Sequence, residues 1–390
     1  MVAARIMVTG AGGPGAVNLS RSLLAMDQQP WILAVDASEH FLFLALGHQR
    51  ALVPRASDED AYVTRINALI KAHNIDFVMP NNSLEIAVLS ERREDIKANL
   101  FLPKPAVLAL ANSKWASYQA WEGQGVPLPL THLITSKADI YEAFAQMQKD
   151  DDTPVWVRGA GIPGKGIGVA SLPCRTPEQA IQWVDYWHGW GAMIASEYLP
   201  GRNLTWMGLF KQGRLITSQC RERLAYVIPH VSPSGITGAP AISQTIHDER
   251  INQIGEHAVR VLDPLYEGVG FVDMKGDTAE QARVTELNAG RFGTTHYFYT
   301  AAGANFPEFM LKVAANEDLE LPKYDILPEG LVWIRTLDAG PVLTTREAIK
   351  ARAYPALVPG EAWPKVPQRM EDFPAQHASL WSGAEEEKGH

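Results

Sequence analysis

Cysteine is nearly missing from this chain: Cys174 and Cys220 are the only two among 390 residues. Two thiols cannot build a disulfide framework, so a reducing, cytoplasmic setting is expected. Long apolar runs are missing as well. No stretch approaches the ~18 consecutive apolar residues of a bilayer span, and MVAARIMVTGAGG enters a strand without the apolar core and cleavage site of a signal peptide. A membrane partner is therefore not expected. Positive charge is not in excess: 35 Lys and Arg face 44 Asp and Glu, a net charge of −9. Non-specific nucleic-acid binding is disfavoured, because no surplus of cations exists to displace counterions from phosphates. Internal repeats are absent, and His230, His247, His257 and His296 lack metal-ligand spacing such as H-E-x-x-H. They read as structural or exposed, with a lid- or substrate-facing role as the alternative for His296.

What is present belongs to an ordinary globular protein, 46% hydrophobic and 20% charged, long enough for two or three subdomains. Apolar runs at 5–9, 31–35, 52–54 and 76–80 alternate with helical spacing at 17–25 and 62–73. The alternation predicts an open, mostly parallel sheet through about residue 105. Gly10, Gly12 and Gly15 fit G-x-G-x-x-G between the first strand and helix, and Asp36 follows at the spacing of a dinucleotide fingerprint. The physical content is narrower. Glycines allow close backbone approach, and a helix N-terminus offers N–H groups to any anion, a carboxylate included. Asn81, Asn82, Ser83 and Glu85 follow the fourth strand, where helix capping and a ligand pocket are both open readings.

Further on, one helix is expected over 106–123 and another over 136–149, with Pro127 and Pro129 marking a linker between them. A strand bearing Arg158 enters a loop with five glycines and Lys165. Gly166 stands where a P-loop needs Ser or Thr, so this is a flexible hairpin able to fold over phosphates. A strand at 192–196 leads into Glu197-Tyr-Leu-Pro-Gly201. A hairpin of 204–210 and 214–220 follows, closed by Arg221, Glu222 and Arg223; then come a loop with Ser232, Ser234 and Thr237 and a helix over 248–265. Residues 268–295 place Asp273 on one apolar run and Glu286 and Asn288 on the next. Glu286 and Asn288, two apart, leave a strand on one face, and Asp273 on a neighbouring strand could join them. Three such oxygen donors suit Mg²⁺. A solvated hairpin with surface acids is the alternative.

These parts, in this order, resemble the ATP-grasp superfamily, and within it the carboxylate–amine ligases and the synthetase domains of carbamoyl-phosphate synthetase. The resemblance covers roughly residues 5–315, and TELNAGRFGTT is its most specific piece. It implies an α/β chain of the ATP-grasp fold with an N-terminal open parallel-sheet domain, pre-ATP-grasp and Rossmann-like, over 1–110. The ATP-grasp domain would span 111–325 with a lid at about 126–198, and a C-terminal extension over 326–390 would end in a disordered acidic tail. Lys114, Arg158, Gly161, Gly164 and Gly166 are implied to hold the phosphates of ATP, Ser196, Glu197, Tyr198 and Leu199 the adenine, and Asn203 the ribose. Asp273, Glu286 and Asn288 are implied ligands of Mg²⁺, with Mn²⁺ the second candidate. Arg291, Lys165 and Arg223 are implied to act on the transferring phosphoryl group and the acceptor carboxylate.

The chain departs from the family pattern at three places. Arg158 replaces the usual lid lysine, Asn203 the usual ribose-binding acid, and Asn288-Ala-Gly-Arg291 is one residue longer than Asn-Pro-Arg. The implied activity joins a small-molecule carboxylate, activated as an acyl phosphate, to an amine, in a protein that is a candidate homodimer. An NAD(P)-dependent oxidoreductase built on the N-terminal glycine turn and a non-catalytic nucleotide-binding member of the fold are the alternatives.

Overall fold

A computed structural model describes residues 4–162, 170–232, 234–235, 238–337 and 342–350. The described chain forms two compact units, one of residues 4–100 and 292–308, the other of 101–291 and 309–350.

The first unit is built on four parallel strands, β1 (Arg5–Thr9), β2 (Trp31–Asp36), β3 (Gln49–Leu52) and β4 (Phe77–Pro80), in the order β3-β2-β1-β4. Ile6, Met7 and Val8 of β1 are fully buried, the continuous apolar run of a strand covered on both faces. The third strand lies at Gln49–Leu52, not 52–54, because Gln49–Leu52 pairs with Leu33–Asp36. Helix α1 (Pro14–Leu24) opens on a proline whose missing N–H costs nothing in the first turn. Helix α2 (Glu59–His73) is capped by Asp58 and closed by Asn74 in the left-handed conformation. Asn82 caps α3 (Ser83–Glu91) by accepting from Leu84 N at 3.0 Å. Glu85 turns inward instead, and its Oε2 accepts from Thr9 Oγ1 at 2.8 Å.

In the second unit the single helix expected over 106–123 is two, α4 (Pro105–Asn112) and α5 (Lys114–Trp121). Ser113 between them is extended, and its Oγ caps α5 by accepting from Ala116 N. The serine's preference for capping over helix interior breaks the run. A four-stranded antiparallel sheet follows, with β5 (Thr131–Ile134), β6 (Val155–Gly159), β7 (Leu172–Cys174) and β8 (Met193–Glu197) in the order β5-β8-β6-β7. Helices α6 (Lys137–Met147) and α7 (Pro177–Tyr186) pack against it, burying Ile140, Phe144, Ala180 and Val184.

The larger sheet has seven strands. They are β9 (Asn203–Lys211), β10 (Arg214–Tyr226), β11 (Pro240–Ile246), β12 (Gly268–Gly276), β13 (Ala282–Ala289), β14 (Leu331–Ile334) and β15 (Val342–Thr345), ordered β13-β12-β9-β10-β11-β14-β15. Strand β10 does not end at Cys220. It runs on to Tyr226, so Arg221 and Arg223 lie within the sheet, and β11, in a segment whose composition suggests a loop, pairs with that extension. Strands β14 and β15 fall in the segment expected as a C-terminal extension, and they complete this sheet.

Helix α8 (Glu249–Leu262) covers one face of the sheet. Trp206, fully buried, donates from Nε1 to Asn252 Oδ1 at 3.0 Å. Its indole fits because Gly208 and Gly255 lack side chains: a Cβ on either would come within 2.3 and 2.4 Å of the ring. The opposite face carries Thr205 and its cross-strand partner Asp273. Helix α9 (Tyr297–Ala301) belongs to the first unit, and α10 (Phe306–Ala314) and α11 (Arg346–Lys350) complete the described elements. Among the described residues no helix is long and apolar enough to cross a membrane.

Candidate functional site

Strands β12 and β13 pair so that Asp273 stands directly opposite Glu286, and Phe271 opposite Asn288. Alternation along β13 then puts Glu286 and Asn288 on the face that Asp273 occupies. The side chains converge: Asn288 Nδ2 lies 3.5 Å from both Asp273 Oδ2 and Glu286 Oε1. The remaining carboxylate oxygens are held by protein. Asp273 Oδ1 accepts from Thr205 Oγ1 at 2.7 Å and lies 3.4 Å from Arg223 Nη1, while Glu286 Oε2 meets Lys114 Nζ at 3.2 Å. Two carboxylate oxygens thus face the NH2 of Asn288, whose Oδ1 is held by Arg291; with that amide turned over, its oxygen would join them in a hard donor set of the kind Mg²⁺ takes. Among the described residues no three His, Cys, Asp or Glu side chains cluster as metal ligands, and this set reaches three only through Asn288.

Two half-buried acids this close cannot share one environment equally. Burial pushes the Asp273 carboxyl up, against the pull of Arg223, and the charge of Glu286 adds to the rise. Burial works the same way on Glu286, but Lys114 and Arg158, then Arg223, outweigh it and hold that carboxyl well below the usual range. Glu286 is the acid fixed as an anion.

The cations come from separate elements. Lys114 opens α5, with its N–H bonded to Ala160 O at 2.8 Å. Arg158 on β6 donates from Nη2 to Thr285 O at 2.8 Å, next to Glu286. Burial lowers its pKa and the charges of Glu286 and Asp273 raise it. Arg291 donates to Asn288 Oδ1. The extra residue before it is Gly290, whose φ of +71° turns the chain after its N–H has bonded Val269 O; the turn returns Arg291 to the site. Arg223 pairs with Asp273, not with its neighbour Glu222, which leaves the opposite face and bonds Arg202 at 2.9 Å.

The remaining expected residues are spread along the same unit. Ser196 is buried, its Oγ accepting from Thr131 Oγ1 at 3.0 Å, and Leu199 is buried near the end of β8. Glu197 N bonds Leu130 O, and the Tyr198 ring lies 6.3 Å from that of Trp156. Asn203 Oδ1 accepts from Lys275 Nζ at 3.1 Å. Gly161, at φ +68°, needs its glycine for packing, since a Cβ would sit 2.6 Å from Asn112 O. Ser234 bonds Ser232 Oγ at 2.9 Å. Gly164, Lys165, Gly166, Thr237 and the acidic tail lie outside the described residues. His296 is not part of the constellation: it is buried in the first unit, Nδ1 2.8 Å from Gly293 O and ring 4.9 Å from Phe292. Sequence reasoning passes over Thr205 and Lys275, although Lys275, two after Asp273, carries the period-two signal.

The N-terminal glycine turn is filled by the chain's own atoms. A Cβ on Gly12 would meet Phe41 O at 2.1 Å, and one on Gly15 would meet Asn81 Nδ2 at 2.4 Å. Asp36, buried, accepts from Gly12 N at 2.9 Å and Ser38 N at 2.8 Å. Its carboxylate secures the turn, and a ribose hydroxyl would have to compete for the same oxygens.

The backbone superposes on known folds. Over 85% of its length the chain matches the biotin carboxylase domain of 2-oxoglutarate carboxylase from Hydrogenobacter thermophilus, a complex with MgADP, ADP and bicarbonate, at a TM-score of 0.63, 15% identity and 74% of that chain. N5-carboxyaminoimidazole synthetase from Staphylococcus aureus matches at 0.62, with 13% identity and 85% and 82% of the two chains. The chain has the ATP-grasp fold. An L-amino acid ligase from Bacillus licheniformis shares the ATP-grasp fold at a TM-score of 0.61, with 15% identity over 85% of this chain and 78% of that one. In sequence, 213 residues are 24% identical to the D-alanine–D-alanine ligase of Laribacter hongkongensis (strain HLHK9), covering 53% of this chain. The match spans 66% of that ligase's length, just under two thirds. No family model matches the chain.

Proposed function

We propose that this protein is an ATP-dependent ligase that activates a substrate carboxylate as an acyl phosphate and couples it to an amine, releasing ADP and phosphate. One observation supports this most. In a chain of net charge −9, Lys114, Arg158, Arg223 and Arg291 gather around Asp273, Glu286 and Asn288. Cations beside a hard oxygen donor set suit a triphosphate with its metal. Similarity to ligases named for amino acids favours substrates of that small-molecule class.

Asp273, Glu286 and Asn288 would hold Mg²⁺, or Mn²⁺, which when bound neutralises phosphate oxygens. Lys114 and Arg158 orient the phosphates, joined by Gly161; Gly164, Lys165 and Gly166, outside the described residues, are assigned to the same phosphates by the family resemblance alone. Ser196, Glu197, Tyr198 and Leu199 receive the adenine and Asn203 the ribose. Arg223 aligns the substrate carboxylate, whose oxygen attacks the γ-phosphorus as the bond to the bridging oxygen breaks and ADP leaves with the electron pair. Arg291 steadies the transferred group. The amine then attacks the acyl carbon, and phosphate departs with the carbon–oxygen pair. Attacking and leaving groups are both anionic in the first step, so the cations supply most of the catalysis by positioning and neutralisation.

The test is phosphate release with MgATP and pooled carboxylic and amino acids. Release in wild type, abolished in Glu286→Ala with the fold intact, is expected. ATP binding without release in any pool would make the protein a non-catalytic nucleotide binder. Retained activity in Glu286→Ala would remove the metal assignment.

A further inference from the structure

Strand β9 begins at Asn203, and the two residues directly opposite it are Lys275 on β12 and Arg223 on β10. Directly opposed residues share a face and alternate residues return to it, so all three lie on the face of Asp273. The turn before β9 comes close to the end of β12: Gly201 N donates to Gly276 O and Gly276 N to Arg202 O, each at 2.9 Å. Only glycine allows that approach. A Cβ on Gly201 would lie 2.8 Å from Gly276 O, and one on Gly276 3.0 Å from Arg202 N. At this junction Lys275 Nζ spans the turn, donating to Gly201 O at 3.0 Å and to Asn203 Oδ1 at 3.1 Å.

A lysine ammonium has donors and no acceptor, so the amide atom that meets it is the oxygen. The planar amide then points Nδ2 away from Lys275. The bond to Lys275 is the one hydrogen bond of this amide among the described residues, and Asn203 is half-exposed, so Nδ2 is open to a ligand. Neither cross-strand neighbour offers an acceptor. Arg223, on the other side, donates to Leu204 O at 3.2 Å and pairs with Asp273.

We propose that Lys275 decides how the ribose of the nucleotide is recognised. By holding Asn203 Oδ1 it fixes the amide with Nδ2 toward the ligand, so a ribose hydroxyl is bound through its oxygen, as an acceptor, and its proton is left to solvent. Lys275 acts through Asn203 and is a positioning residue. The proposal rests on the reading in which Asn203 receives the ribose; it does not depend on which acid or amine is joined.

The experiment uses the full chain and measures binding by calorimetry, with Mg²⁺ and without acid or amine. The nucleotides are ATP, its 2′- and 3′-deoxy forms and its 2′- and 3′-O-methyl forms. A deoxy form lacks the oxygen; an O-methyl form keeps the oxygen as acceptor and lacks its proton. In wild type one deoxy form should bind about two- to tenfold more weakly than ATP, the worth of a neutral hydrogen bond. The O-methyl form at the same carbon should bind more tightly than that deoxy form. Lys275→Arg keeps a donor for Oδ1 and should keep this order. Lys275→Glu puts an acceptor in its place, so the amide should turn, offer Oδ1 to the ribose and leave the O-methyl form no better than the deoxy form. Asn203→Asp, with Lys275 intact, should abolish the O-methyl advantage too, and it decides the matter if Lys275→Glu does not fold.

An O-methyl form no better than the deoxy form in wild type, or the wild-type order kept in Lys275→Glu or Asn203→Asp, overturns the proposal. So does a loss in Lys275→Glu that is equal for all the nucleotides, which is what a merely structural lysine gives. Phosphate release with MgATP and pooled carboxylic and amino acids is measured alongside. Release that persists while Asn203→Ala discriminates among the nucleotides as wild type does removes Asn203 from the ribose, and the proposal with it, and leaves the ligase. The expected order with no release in any pool supports the role of Lys275 and removes the ligase.

Discussion

Replacing Glu85 by Gln should stabilise the first unit at neutral and alkaline pH. Glu85 is 6% exposed, and its Oε2 touches Thr9 Oγ1 and lies 2.9 Å from where a Cβ on Gly10 would stand. Burial raises its pKa from 4.5 to about 7; the hydrogen bond from Thr9 opposes the rise and the charge of Asp36 adds to it. The folded state thus prefers the protonated acid. Below pH 4.5 both states are protonated and nothing is lost. As pH climbs from 4.5 through 7 the unfolded chain ionises first, and stability falls by about 1.4 kcal/mol for each pH unit in that window, on the order of 3 kcal/mol in all. Above pH 7 the loss is complete. Glutamine keeps the shape and the neutral charge, so Glu85→Gln should match wild type near pH 4.5 and exceed it by up to about 3 kcal/mol at pH 8. A two-unit chain is not expected to melt in one step, so the readout is hydrogen exchange of the β1 and β4 amides. Protection should rise up to about a hundredfold at pH 8. Unchanged β1 protection at pH 8, or a Glu85 carboxyl carbon that titrates near 4.5, would refute the reasoning.

Other consequences follow from packing and pairing. Gly255→Ala should destabilise the second unit by about 1–3 kcal/mol, because the new methyl enters the Trp206 ring; urea unfolding followed by tryptophan fluorescence would show a lower midpoint. Ser113→Ala removes the cap of α5 and should cost about 1 kcal/mol. Because Lys114 is the next residue, the KM for MgATP should rise with little change in helix content by circular dichroism. Lys114→Met takes the cation from Glu286 at 3.2 Å, and MgATP affinity should drop at least about tenfold; calorimetry checks this, and equal affinity would place the phosphates elsewhere. Cys174 and Cys220 are buried, the thiol of Cys174 pushed up to about 12 by burial. Neither should react with Ellman's reagent at pH 8 until the chain is unfolded.

Much of the architecture is legible because it is written in short-range pattern. Period-two alternation puts Glu286 and Asn288 on one face of β13 whatever surrounds them, and the run from Ile6 to Val8 reads as a strand buried on both sides. Local chemistry is legible in part. Asn82 and Asp58 cap helices as their types predict, but Ser113 caps a second helix where a single one is expected, since a serine inside an apolar run reads equally well either way. Strand β11 is hidden among serines and prolines; its pairing with the far end of β10, not its own composition, makes it a strand.

The sequence by itself determined which side chains were available for the chemistry and which of them share a strand face: the oxygen donors at 273, 286 and 288, and the basic residues at 114, 158 and 291. Tertiary structure alone decided what those charges meet. Asp36 secures the Gly12 turn with both carboxylate oxygens, Arg223 turns to Asp273 and away from Glu222, and β14, more than a hundred residues after β10, joins the same sheet. Faces are set by covalent geometry, which repeats every second residue, whereas register and sheet order come from long-range burial that no local window contains.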